Sequence, residues 1–119
     1  MRDFRSLKVW ERSHQLALAI YQLTTAFPND ERYGLTSQLR RCGVSIPANI
    51  AEGCGRSGEK ELTRFLNISL GSASELEYLL LLTRDIKLLG GTSFEHLSQD
   101  VIEVKKMLTS FIQKLKADS

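Results

Sequence analysis

The sequence predicts an all-α protein, an antiparallel up-down-up-down four-helix bundle. Three observations point there. Apolar residues recur at spacings of three and four along most of the chain, the period of an α-helix with one buried face. No stretch shows the two-residue alternation of a half-buried strand. Breaks fall at Phe27-Pro28-Asn29-Asp30, at Gly53 to Gly58 and at Gly90-Gly91. They divide the chain into four long segments with short connections, the pattern of a bundle.

The first helix is expected over 7–27, with Ser6 as its capping residue. Leu7, Trp10, Ala17, Tyr21 and Thr24 form one stripe, with Leu16, Ile20, Leu23 and Phe27 beside it. His14 falls in the first stripe and reads as a core or rim residue. Arg5, Lys8 and Arg12 share one side at spacings of three and four. Phe27-Pro28 then ends the helix, since proline is typical just after one.

The second helix is expected over 31–54. Leu35, Leu39, Cys42, Ile46 and Ile50 fall on one face. Pro47 removes an N–H and crowds the carbonyl of Gly43, at a cost of about 3 kcal/mol in a helix interior. The apolar spacing keeps phase across Pro47, so a continuous helix with a proline kink is expected. Gly43, Ser45, Ala48, Ala51 and Gly53 are small enough to admit a neighbouring helix closely. Arg41, Ser45, Asn49 and Glu52 lie on the other face and read as a polar seam that fixes helix register. Ser45 or Asn49 could bond the backbone groups the proline frees.

The third helix is expected over 59–89, about 45 Å long at 1.5 Å per residue. Its inner stripe is Leu62, Phe65, Leu66, Ser69, Ala73, Leu76, Leu80 and Thr83. Gly71 to Ser74 form a small-residue patch expected to meet the small residues around Pro47. Leu79 to Leu82 point all round the helix, more than one inner stripe can bury. The fourth helix is expected over 93–117, started by a Thr92–Glu95 capping box. Phe94, Leu97, Val101, Val104, Leu108, Phe111 and Leu115 make a seam of alternating threes and fours. Leu79, Leu81, Leu82, Ile102 and Ile112 are the candidates for contact between subunits.

Composition bounds the function. The 119 residues suit one domain, 42% hydrophobic and 25% charged, with a net charge of only +2. Cys42 and Cys54 on one helix would lie about 18 Å apart, beyond the ~7 Å a disulfide allows. No apolar run approaches the ~20 residues of a membrane span and no signal peptide is evident, so a cytoplasmic location is expected.

Catalytic motifs fail on inspection. Glu11-x-x-His14 has di-iron spacing, but His96 has no matching glutamate, so no metal or other cofactor is expected. Ser57-x-x-Lys60 lacks the companions of a serine–lysine nucleophile, and no phosphate-binding loop occurs. An enzyme is not expected. Basic residues offer more. The first sixty residues hold nine of the sixteen Lys and Arg and six of the fourteen Asp and Glu, so that half is +3 and the remainder −1. Arg5, Lys8, Arg12, Arg40, Arg41, Arg56, Lys60 and Arg64 are the candidates for contacting nucleic-acid phosphates. Arg41 is also a candidate for the seam with Glu52. A solvated surface with local pairs such as Glu52–Arg56 and Glu61–Arg64 accounts for the same residues.

A family resemblance enters at Tyr33-Gly34-Leu35, Gln38-Leu39-Arg40-Arg41 and Ser45-Ile46-Pro47-Ala48-Asn49-Ile50-Ala51-Glu52-Gly53. Further pieces are Leu7-Lys8-Val9-Trp10, Phe27-Pro28, Lys60-Glu61, Phe65-Leu66 and Gly71-Ser72-Ala73-Ser74-Glu75-Leu76-Glu77. Together they span about residues 4–90 and resemble the 23S rRNA-intervening sequence proteins, small bacterial four-helix bundles. Cys42 and Ser69 stand where alanine is more usual. The last helix matches only in pattern. The resemblance implies a homo-oligomer, a pentameric ring, and kinship with the accessory variability determinant of diversity-generating retroelements. That relative is a bundle that binds nucleic acid and a reverse transcriptase. The expected function is therefore a non-enzymatic RNA- or DNA-binding accessory protein that reads no base sequence. The alternative is a protein-interaction scaffold with an apolar docking face on the third and fourth helices. The family's name describes where some of its genes lie, inside ribosomal RNA genes.

Overall fold

The computed structural model describes residues 2–31 and 33–118. Four helices make the fold: α1 (Lys8–Thr25), α2 (Leu35–Gly55), α3 (Glu59–Asp85) and α4 (Gly91–Ala117). Single 3-10 turns precede α1 (Phe4–Ser6) and α2 (Asn29–Glu31), and no strand occurs among the described residues. The helices pack as a closed ring, α1 on α2, α2 on α3, α3 on α4 and α4 back on α1, with the α1–α4 seam the most sparsely packed. Connections of three and five residues join α2 to α3 and α3 to α4, lengths at which packed neighbours run antiparallel. The bundle measures 46 × 23 × 20 Å.

The core follows the helical period. All five apolar residues of the α2 face are buried, from Leu35 to Ile50, and so is the whole α3 stripe from Leu62 to Thr83. In α4, Leu97, Val101, Val104, Leu108 and Leu115 are buried, while Phe94 and Phe111 are half-buried at its ends. The α1 stripe is rotated from its expected position. Val9, Ser13, Leu16, Ala17, Ile20 and Thr24 face inward, while Tyr21 is 44% exposed. Ser13 can face inward because its hydroxyl donates to the Trp10 carbonyl at 2.9 Å.

α2 runs unbroken through Pro47. Its polar contacts there come from α3 and from Asn49 of α2 itself. Ser69, fully buried, donates to the Ile46 carbonyl at 2.8 Å, Ser45 and Ser72 share a 2.8 Å hydrogen bond, and the Cys42 thiol donates to the Ser72 carbonyl at 3.0 Å. The Asn49 amide donates to the Ser45 carbonyl and hydroxyl at 2.8 and 3.0 Å. The seam is thus Ser45, Asn49, Ser69 and Ser72. Arg41 and Glu52, expected in it, are exposed, and Glu52 pairs with Arg56 instead. Only Ser72 and Ala73 of the small-residue patch turn inward, while Gly71 and Ser74 are exposed.

The helix ends differ from expectation for local reasons. Ser6 does not cap α1. It lies in the preceding 3-10 turn, its hydroxyl donating to the Asp3 carbonyl at 2.7 Å, while Leu7 occupies the cap position without a side-chain bond. α2 begins at Leu35, after the 3-10 turn, where the Glu31 carboxylate accepts from the Leu35 N–H at 3.4 Å. α3 ends at Asp85, four residues early. Lys87 takes a left-handed φ of 67°, with its N–H bonded to the Arg84 carbonyl and the Leu88 N–H to the Thr83 carbonyl. That is the Schellman arrangement, normally closed by glycine. Gly90 caps α4 through its backbone alone, so the Thr92–Glu95 box does not form.

Two residues expected between subunits belong to the core. Leu79 and Ile112 are 4% and 6% exposed, enclosed by their own bundle. The neighbouring helices come from both sides of α3 and α4, so each buries a wider arc than one stripe. Leu81 is exposed, and Leu82 and Ile102 are half-buried.

Candidate nucleic-acid interface

The short connections decide which charges meet. Three separate stretches converge at one end of the bundle: the segment leading into α1, the α2–α3 turn and the last turns of α4. The Arg2 N–H donates to the Cys54 carbonyl at 3.0 Å, and the Arg2 guanidinium lies 5.6 Å from the Phe111 ring centre. Lys60 and Thr63 share a surface hollow with Leu115 and Lys116. Arg2 and Arg56 line a cleft of about 310 Å³ with Gly53, Gly58 and Glu59.

The half of the bundle holding residues 2–16, 45–72 and 104–118 carries eleven Lys and Arg against six Asp and Glu, a net of +5. The other half, 17–31, 33–44 and 73–103, carries four against eight, a net of −4. A chain of nearly balanced charge therefore folds into an end-to-end dipole.

The sequence-predicted basic residues separate into three groups. Lys8, Arg12 and Lys60 lie at or near the basic end, exposed and without an ion pair among the described residues. Arg5, Arg56 and Arg64 are there too but hold carboxylates: Asp3 at 3.6 Å, Glu52 at 2.9 Å and Glu61 at 3.0 Å. The Arg64 hydrogen bond holds the Glu61 carboxyl below the usual carboxylate range. Arg64 also stacks over Phe65, 4.5 Å from its centre. Arg40 and Arg41 are elsewhere. Arg40 is half-buried, donating to the Thr24 hydroxyl at 2.8 Å and lying 4.6 Å from the Tyr21 ring centre, so it ties α2 to α1. Arg41 is exposed but about 22 Å along α2 from Arg56 at 1.5 Å per residue.

Five contributors to the basic end were not singled out in the sequence: Arg2, Lys105, Lys106, Lys114 and Lys116. The α4 lysines stand inside a segment whose apolar seam dominates its pattern, in the half of the chain that counts as −1. One signal was available: after Glu103, α4 carries four lysines and no acid up to Ala117.

The remaining chemical candidates have structural partners. His14 stacks flat on Trp10, with centres 4.9 Å apart, and Phe4 meets Trp10 edge-on at 5.0 Å. Among the described residues no group of three or more His, Cys, Asp and Glu could hold a metal. Both cysteines are free and buried. Burial, with a smaller contribution from Glu75, pushes the Cys42 thiol up to about 12, and burial also raises Cys54. No helix among the described residues is long and apolar enough to cross a membrane.

The family model for 23S rRNA-intervening sequence proteins matches residues 5–110, nearly the whole bundle. The chain belongs to that family. A crystal structure from Bacteroides thetaiotaomicron, described as a protein of unknown function from the S23 ribosomal protein family, superposes with a TM-score of 0.83. It is 30% identical, and the match covers 88% of this chain and 95% of that one. No curated protein matches. The S23 relative shares the four-helix architecture over nearly its full length.

Proposed function

We propose that this member of the 23S rRNA-intervening sequence family is a non-enzymatic nucleic-acid-binding accessory protein. It acts as a homo-oligomer and meets the phosphate backbone through the basic end of each bundle, without reading bases. The observation that supports this is the +5 half-molecule assembled from three separate segments. Lys8, Arg12 and Lys60 supply cations that lose no ion pair on meeting phosphate. Arg5, Arg56 and Arg64 exchange a carboxylate for a phosphate, so each adds less. In a cyclic ring whose bundles run along the symmetry axis, every basic end lies on the same side, and phosphate contacts then accumulate across subunits. The exposed Tyr78 and Leu81, with half-buried Leu82 and Ile102, form the apolar α3–α4 face by which subunits meet.

The test is binding of a structured RNA and a DNA duplex at low and at physiological salt, with the oligomer's mass measured on the same sample. Binding should weaken steeply with salt, by a slope of about 0.7–0.9 per phosphate contacted. The triple variant Arg12→Glu, Lys60→Glu, Arg64→Glu should lose it, while Arg41→Glu should not. An intact oligomer that binds neither ligand at low salt overturns the proposal. The same apolar α3–α4 face favours a second reading, a scaffold for a partner protein, whose binding would be nearly indifferent to salt.

A further inference from the structure

We infer that the groove between the start of α1 and the last turns of α4 is a docking site for an acidic amphipathic helix of a partner protein. This does not rest on the nucleic-acid reading. The groove is an open surface trough of about 430 Å³. Its floor is Leu7, Met107 and Phe111, and its rim is Lys8, Lys106 and Lys114. It exists because the α1–α4 seam is the loosest of the four, so side chains that would interdigitate elsewhere leave a trough.

Charge complementarity selects the occupant. None of the three rim lysines has an ion pair among the described residues, although nearby Lys105 holds Glu77 at 2.7 Å. A phosphate backbone would use the lysines and gain nothing from an apolar floor. A helix with apolar residues at i, i+3, i+4 and i+7 and carboxylates along its flanks uses both. Lys106 and Lys114 stand eight residues apart on one face of α4, about 12 Å along the axis. Carboxylates two turns apart on an aligned partner helix match that interval.

The probe is a synthetic 18-residue helical peptide with Leu and Phe on one face and Glu along both edges. The chain has two methionines, and Met107 lines the groove, so its ¹³C-labelled methyl signal reports occupancy in the full-length protein. The expected result is saturable binding that shifts the Met107 methyl. It should be weakened at least tenfold by Lys106→Glu with Lys114→Glu, unchanged by Lys60→Glu, and absent for a scrambled peptide of the same composition. Four results would each overturn the inference. One is no Met107 shift with the protein folded. A second is equal weakening by Lys60→Glu, which would mean diffuse attraction. A third is a Met107 shift that follows protein concentration without peptide, which would mean a second copy covers the groove. The fourth is displacement of the peptide by an equimolar RNA oligonucleotide that itself moves the Met107 methyl. Failure of RNA binding with peptide binding intact would sink only the nucleic-acid proposal.

Discussion

Gly53 and Gly71 both sit within helices, and their replacement by alanine should have opposite effects. At Gly53 an added Cβ would lie 2.9 Å from the Phe65 Cβ, 3.1 Å from Leu62 Cδ1 and 3.4 Å from the Leu62 carbonyl. Such approaches cannot stand, and the Phe65 Cβ is fixed to backbone, so α2 and α3 must separate locally. Forcing a methyl into a packed contact costs about 1–3 kcal/mol. The better helix propensity of alanine returns at most about 1 kcal/mol, and less in the last turn of α2. Gly53→Ala should therefore destabilise by about 1–2 kcal/mol. At Gly71 an added Cβ meets nothing within 4 Å. There only propensity acts, and Gly71→Ala should stabilise by about 0.5–1 kcal/mol. Equilibrium urea unfolding at one protein concentration measures both, and the two variants should straddle the parent. Shifts of the same sign would refute the reasoning. In particular, loss of stability together with loss of oligomer mass in Gly71→Ala would place that face against another subunit.

Other substitutions probe the same physics elsewhere. Lys87→Gly should raise stability by about 0.5–1 kcal/mol, because it relieves a left-handed residue at the end of α3 less the added freedom of the unfolded chain. Thermal unfolding checks it, and no gain would count against the Schellman assignment. Ser69→Ala should cost about 0.5–1.5 kcal/mol through loss of the buried bond to the Ile46 carbonyl, read from the urea midpoint. Leu79→Asp and Ile112→Asp should unfold the bundle, whereas Leu81→Asp should leave helicity intact. Circular dichroism separates these outcomes. Stability should fall as pH rises above 9, because the unfolded Cys42 thiol ionises there while the buried one keeps its proton to about 12. Cys42→Ala should flatten that decline in urea titrations at pH 8 and pH 10.

Much of the bundle is legible in the linear sequence. Every residue that spacings of three and four placed on the α2 and α3 stripes is buried, although Thr36, Cys54 and Leu79 join them unannounced, and the glycine and proline breaks placed the connections within a few residues. Continuity through Pro47 followed from apolar phase, since a break there would have shifted the register of Ile50 against Ile46. The motif run around Pro47 also identified the family. These features are local: each depends on a helix repeating every 3.6 residues and on residues that cannot continue it.

Periodicity fixes an angle around one axis, but not which neighbour stands at that angle or how wide an arc it covers. That is why Leu79 and Ile112 could not be assigned to the core, and why Arg41 and Glu52 could not be excluded from the seam. Arg40 looked like a surface cation until α1 brought Thr24 and Tyr21 against it. The basic end is the clearest case. Its charges come from residues 2–12, 56–64 and 105–116, and in sequence the last group belongs to an acidic half. Antiparallel packing alternates helix starts with helix ends, so charge is summed along the bundle axis rather than along the chain. Only the tertiary structure makes that sum, and with it the dipole on which the functional proposal stands.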